Sequence, residues 1–261
     1  MFLCRRKDVE MTKNKELKEG YVEILNEIDD SWINPHHLNS LVKQGLSGIF
    51  LTSVRPEYQQ AKNKIMIVGR EPKSWNIIGK DGGFVGRKSY VDSALDKHDV
   101  FFRSQFKKKN SKGRSFHNFT RSVAKKSGEE GLIYSNLFCL SYKKSIPQKS
   151  PVFDGILCLS EKLLKIQIKI LRPDIIVFAN GLSGASVATR RKFFPIDGED
   201  NVCINRENYW DAGLSNKQLW SFDLRFEDQL IKSYRTYHPS STLVDAAIAR
   251  DFLIDLLPGN D

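Results

Sequence analysis

The sequence has 261 residues, 40% of them hydrophobic and 11% aromatic, which supplies a core and excludes a wholly disordered chain. Lys and Arg total 41 against 31 Asp and Glu, a formal charge of +10, so a polyanionic partner is expected, nucleic acid or an anionic membrane surface. No apolar run approaches the ~20 residues of a membrane span, and Met1–Lys7 carries neither an apolar core nor a leader's cleavage pattern, so a soluble cytoplasmic protein is expected.

Residues 8–30 are charged, with Val9, Leu17, Val22, Leu25 and Ile28 at roughly helical spacing. Asn34-Pro35 predicts the start of a second helix, and His36 and His37 there read as surface residues rather than ligands. Residues 1–60 are expected to form a helical extension packed on a main domain of residues 61–261. That domain opens with Ile65-Met66-Ile67-Val68-Gly69, apolar at every position, which suits a strand covered on both faces. Gly69 permits a sharp turn, Pro72 stops the strand, and Glu71 lies on the loop between them.

Residues 79–86 hold four glycines around Phe84, either a flexible loop or an aromatic platform on a tight turn. Helices are predicted over 89–108 and 115–127, separated by the basic run Lys107-Lys108-Lys109-Asn110-Ser111-Lys112-Gly113-Arg114, a solvated loop or a phosphate contact. A second apolar strand, 132–138, is interrupted by Asn136, an amide that needs a partner if buried. A helix over 154–172 and a third strand, 175–179, follow. The turn Asn180-Gly181-Leu182-Ser183-Gly184 then leads into a helix to about Arg191, an arrangement that suits an anion. Residues 195–228 read as irregular, with a short strand at 219–224. A fourth main strand near 230–237 ends at His238-Pro239-Ser240, and a closing helix over 243–257 is expected to turn Leu243, Ala246, Ala247, Phe252, Leu253 and Leu256 inward.

Alternating strands and helices predict an α/β fold: three αβα layers around a central, mostly parallel, four-stranded twisted sheet. Glu71, Asn136, the Gly181–Ser183 turn and His238 all fall late in, or just after, their strands. In a parallel sheet those ends share the edge where ligands sit. Taken singly, Glu71 is equally an ion-pair partner of Arg70 or Lys73, His238 a helix cap and Phe84 a core ring. No Gly-x-Ser-x-Gly elbow of a small-molecule hydrolase is present.

In this order the pieces resemble the uracil-DNA glycosylase superfamily over about residues 62–258. Gly69-Arg70-Glu71-Pro72 looks like its water-positioning loop, Gly83-Phe84-Val85-Gly86 like its base-stacking segment and Ser135-Asn136-Leu137-Phe138 like its base-reading strand. Gly181-Leu182-Ser183 is similar to its phosphate loop and His238-Pro239-Ser240 to its last motif. The resemblance implies a monofunctional DNA glycosylase that flips a base out of DNA and hydrolyses its N-glycosidic bond. Phe84 would stack on the base, Asn136 would pair with its edge, and Arg70 and Lys73 would flank it. Glu71 would orient the water and His238 would donate to a base carbonyl. Ser74, Gly181, Ser183 and Ser240 would hold phosphates, and Leu243 (or Thr242) would fill the vacated space.

The motifs also depart from that family. Glu71 stands where many members have Asp or Asn. Arg70 occupies the position of another branch's Glu, and Lys73 that of a Tyr which excludes 5-substituted pyrimidines. The absent gate widens the expected substrates to a bulky modified base in foreign DNA; a non-catalytic DNA-binding protein on this fold is the remaining alternative. The cysteines, Cys4, Cys139, Cys158 and Cys203, form no close pair, so neither an iron–sulfur cluster nor any other metal or cofactor is expected. DNA, single- or double-stranded, is the expected partner of a monomer.

Overall fold

The computed structural model describes the backbone of residues 2–78, 82–113 and 115–260, with side chains from Lys13 onward. Gly79, Lys80 and Asp81 of the glycine-rich stretch, Arg114 of the basic run, Cys4 and the Val9 side chain lie outside the described residues. The chain divides into two compact units. One comprises Met1–Val54, Glu71–Phe102 and Ser135–Leu171; the other Arg55–Arg70, Arg103–Tyr134 and Arg172–Asp261.

In the first unit, helix α1 (Phe2–Leu25) packs on helix α4 (Phe153–Leu171). Leu17, Tyr21 and Leu25, spaced four apart, are fully buried on α1, as are Ile156, Leu163 and Ile168 on α4. Each such side chain contributes about 1.5–3 kcal/mol on leaving water. The Tyr21 hydroxyl donates to the Thr52 carbonyl at 2.9 Å. A Cβ on Gly20 would stand 3.1 Å from Ile166, so the glycine lets the two helices approach closely. The helix expected at Asn34-Pro35 does not form; those residues are turns. The Asn34 side chain accepts from the His36 N–H at 2.8 Å as a helix cap would, but the bonds that follow close only separate turns, His37 N–H to the Asn34 carbonyl and Ser40 N–H to the His37 carbonyl.

The second unit carries the sheet, whose six strands run in the order β2-β1-β3-β6-β5-β4. These are β1 (Ile65–Gly69), β2 (Leu132–Asn136, its last two residues counted with the first unit), β3 (Ile175–Phe178), β4 (Cys203–Asn208), β5 (Leu219–Phe226) and β6 (Gln229–Thr236). β1, β3 and β6 pair in parallel, Ile67 beside Val177 and Val177 beside Tyr234. β5 lies antiparallel to β6, and β4 antiparallel to β5. The fold is therefore α/β with a mixed six-stranded sheet, not a mostly parallel four-stranded one. β4 escapes the hydrophobic pattern because it is polar and exposed beyond Ile204, and its pairing is irregular between Ile204 and Glu207.

The other helices are α2 (Arg87–Phe106), α3 (Ser115–Ser127), α5 (Gly184–Phe193) and α6 (Val244–Leu256). α6 buries Ala246, Ala249 and Leu253, a face narrower than expected, while Leu243 remains 58% exposed and Ala247 and Leu256 face solvent. Leu243 is the extended residue before the helix, so it does not share the helical face. The Ser127 hydroxyl donates to the Pro258 carbonyl at 2.7 Å, fastening the end of α3 to the chain after α6. Among the described residues no helix is long and apolar enough to cross a membrane.

Candidate functional site

In the second unit, parallel pairing brings the carboxyl ends of β1, β3 and β6 to one edge. Half-buried Arg70 follows β1, the turn at 180–183 follows β3, and His238 follows β6. Gly181 takes φ +80°, a conformation side chains resist, and a Cβ there would lie 3.1 Å from the Cβ of His238. The two loops therefore meet through the one residue type that fits both demands.

The Ser240 backbone N–H donates to Nδ1 of His238 at 3.2 Å, and the Ser240 hydroxyl lies 2.7 Å from the same nitrogen. A nitrogen that accepts an N–H carries no proton, so the neutral ring holds its proton on Nε2. His238 is thereby set as an Nε2–H donor. The Phe116 ring stands 6.2 Å from it and 5.1 Å from Tyr134. Phe116 was not singled out in the sequence: its place on α3 reads as core, and only the tertiary fold brings it to the histidine.

The turn before α5 has a cationic support. Asn180 is fully buried, and its Oδ1 accepts from Nη1 of Arg190 at 3.0 Å. Arg190 is itself buried; burial, then the Arg235 and Arg191 guanidinia, push its pKa down to about 9. Burial likewise pushes Arg235 down to about 10, and Arg235 donates to the Lys217 carbonyl at 3.0 Å. Two buried guanidinia, Arg190 and Arg235, therefore lie in this unit, one on α5 and one on β6. The Ser183 hydroxyl caps α5 by accepting from the Ser186 N–H at 3.4 Å. Leu243 stands exposed just before α6.

Lys107, Lys108 and Lys109 are exposed on the loop after α2. Arg121 shapes that loop by donating to Asn110 Oδ1 and to the Gln105 carbonyl, both at 2.9 Å, while Asn118 donates to the Ser111 carbonyl at 3.0 Å. The lysines thus project from an ordered backbone.

In the first unit, Glu71 is half-buried and opens a loop in which Lys73 and Ser74 are exposed. The loop is anchored beyond Glu71. Trp75 is buried against Phe50 (4.8 Å) and Phe101 (5.4 Å), its carbonyl accepts from the Gly48 N–H, and the Ser141 hydroxyl donates to the Lys73 carbonyl at 3.1 Å. Phe84 is half-buried beside a Gly86 at φ +143°, and the Gly82 carbonyl lies 3.1 Å from the His36 ring.

Asn136 ends β2 at 5% exposure, and neither its Oδ1 nor its Nδ2 has a hydrogen-bond partner among the described residues. Its neighbour is fixed: the Ser135 hydroxyl donates to Gln167 Oε1 at 2.6 Å. A buried amide with both functions unspent is held at a desolvation cost of about 1–3 kcal/mol per group. It is ready for a ligand edge that presents one donor and one acceptor.

Gly181, Ser183, His238, Ser240, Leu243, Arg70 and Lys107–109 belong to the second unit, and Glu71, Lys73, Ser74, Phe84 and Asn136 to the first. A scan against protein-family models finds no match, and no curated protein matches the chain.

Proposed function

We propose that the protein is a DNA glycosylase of the three-layer αβα kind, which takes a pyrimidine out of DNA and hydrolyses its N-glycosidic bond. The observation that carries this reading is Asn136, whose buried amide keeps both its donor and its acceptor unspent. A base edge carries the complementary pair. In this reading the bond between the sugar C1′ and the base nitrogen breaks, with its electrons leaving on the base. Negative charge then grows on a base carbonyl oxygen, where the Nε2–H of His238 donates. A preorganised donor of this kind is worth about 2.7–4 kcal/mol in the transition state. Glu71 orients the water that adds to C1′ and favours the cationic sugar electrostatically. Phe84 stacks on the base, the turn 180–183 backed by Arg190 and the lysines 107–109 hold phosphates, and Leu243 occupies the emptied stack.

Lys73 favours a wider substrate range than uracil alone. It is an exposed, flexible cation rather than an aromatic wall, so bulky 5-substituted pyrimidines belong among the substrates tested. The experiment is incubation with duplex and single-stranded oligonucleotides carrying uracil, thymine mismatches and 5-substituted cytosines, scored for abasic sites. At least one substrate should yield them. Tight binding with no base released from any substrate would leave the protein a DNA binder without catalysis.

A further inference from the structure

We infer that the two-residue tip Lys143-Lys144 is a built contact for the phosphate backbone of nucleic acid, a surface outside the motifs that carry the proposed function. The chain folds back there between Tyr142 and Ser145. The Tyr142 N–H donates to the Ser145 carbonyl and the Ser145 N–H to the Tyr142 carbonyl, both at 3.0 Å. The two central residues take φ +49° and +62°. This is the tight hairpin geometry that Asn-Gly adopts readily and that lysines resist. The sequence places two consecutive cations where the backbone disfavours them, and both are exposed.

Backbone strain persists only where the surroundings enforce it, and it gathers at functional sites. The surroundings here do enforce it. The Lys143 N–H donates to the Gly45 carbonyl at 2.8 Å. Gly45 takes φ +114°, and a Cβ on it would stand 2.9 Å from Cγ of Lys143, so the glycine leaves room for the lysine stem. The Lys143 ammonium lies 5.2 Å over the Tyr142 ring. Below the tip, Ser141 exchanges bonds with Ser47 at 2.9 Å and donates to the Lys73 carbonyl, which ties the strap to the loop that follows Glu71. All of these residues belong to one unit. The tip therefore holds two positive charges at a fixed place beside the Glu71 loop, at the expense of turn stability. In a chain of formal charge +10, the complementary partner is a polyanion with regularly spaced phosphates.

The inference rests on the proposed DNA substrate, but it is read by binding and not by base release. Lys143→Asn with Lys144→Gly gives the turn its preferred residues and removes both charges. This double variant should melt higher than the parent, by roughly 2–4 °C for each residue relieved. It should bind lesion-free duplex about tenfold more weakly at moderate salt, with a log–log salt slope shallower by about 1–2. Lys143→Gln with Lys144→Gln should weaken binding equally without the gain in melting temperature, and the Arg pair should restore binding. Unchanged affinity and slope in the Asn-Gly variant, or a lower melting temperature, would overturn the inference. Weakened binding in a protein that releases no base would leave it standing and remove the glycosylase reading instead.

Discussion

A Cβ on Gly181 would lie 3.1 Å from the Cβ of His238, and Gly181 takes φ +80°. Backbone freedom and close approach are both required at this position, so Gly181→Ala should be costly on two counts. The left-handed conformation alone costs about 1–2 kcal/mol. Thermal melting should show a fall of roughly 2–8 °C, and base release should fall further than stability accounts for, because the histidine is displaced. A variant that melts and acts like the parent would separate this turn from His238.

The Nε2–H tautomer of His238 is set by the Ser240 backbone N–H, which donates to Nδ1. His238→Ala should slow single-turnover base release about 10²–10³-fold while DNA affinity changes little. Ser240→Ala keeps the backbone donor and should retain most of the activity. Equal losses of binding and release in His238→Ala would make the residue a DNA contact.

Asn136 offers a test that separates function from folding. Replacement by Leu, similar in shape and apolar, removes two buried unpartnered groups, each costing about 1–3 kcal/mol. The melting temperature of Asn136→Leu should be unchanged or higher, and base release should be lost. A marked fall in melting temperature would show that the amide serves the fold.

The lysines at 107–109 stand exposed on a loop that Arg121 holds. Replacing all three with Ala should weaken DNA binding regardless of sequence or lesion. In duplex DNA the salt slope should become shallower by about 0.9 for each phosphate that the lysines no longer neutralise. An unchanged slope would mark the loop as ordinary solvated surface.

Acid should expose one ion pair of the sheet. The Lys232 ammonium donates to Glu207 at 2.7 Å and, with the Ser221 hydroxyl, holds the Glu207 carboxyl below its usual 4.5. A depressed carboxylate stabilises the fold above its unfolded-state value, and that stability is lost as pH falls through the lower folded value. The melting-temperature difference between the parent and Glu207→Gln should therefore be constant near neutrality and shrink as pH drops below 4.5. A constant difference through that window would remove the pair's contribution.

How much was legible in the sequence follows from where the physics is local. β1 was readable because every residue from Ile65 to Gly69 is buried, which leaves an uninterrupted apolar run. α3 was readable from its apolar face. β4 was not, since a polar edge strand with Asn205 at φ +48° has no period to detect. The absent helix after Asn34 was not legible either: Asn34-Pro35 makes a helix-start cap, but Leu38 beyond it is 93% exposed and no face is buried to sustain a helix. At the site, the residue types at the strand ends were legible. The tautomer of His238, the unspent amide of Asn136 and the burial of Arg190 were not. Arg190 sits in a run with Arg191 and Lys192 that reads as a solvated helix end, yet its long side chain runs back along α5 to Asn180. Each of these depends on partners far away in the chain.

Glu71 is proposed to orient the water that cleaves the glycosidic bond. Abasic-site formation under single-turnover conditions tests this most directly, comparing the parent with Glu71→Gln on the best substrate of the oligonucleotide panel. Base release by the parent is expected, with a loss of at least about 10²-fold in Glu71→Gln and DNA affinity preserved. Release by Glu71→Gln at the parent's rate, or no release by either protein, would contradict it.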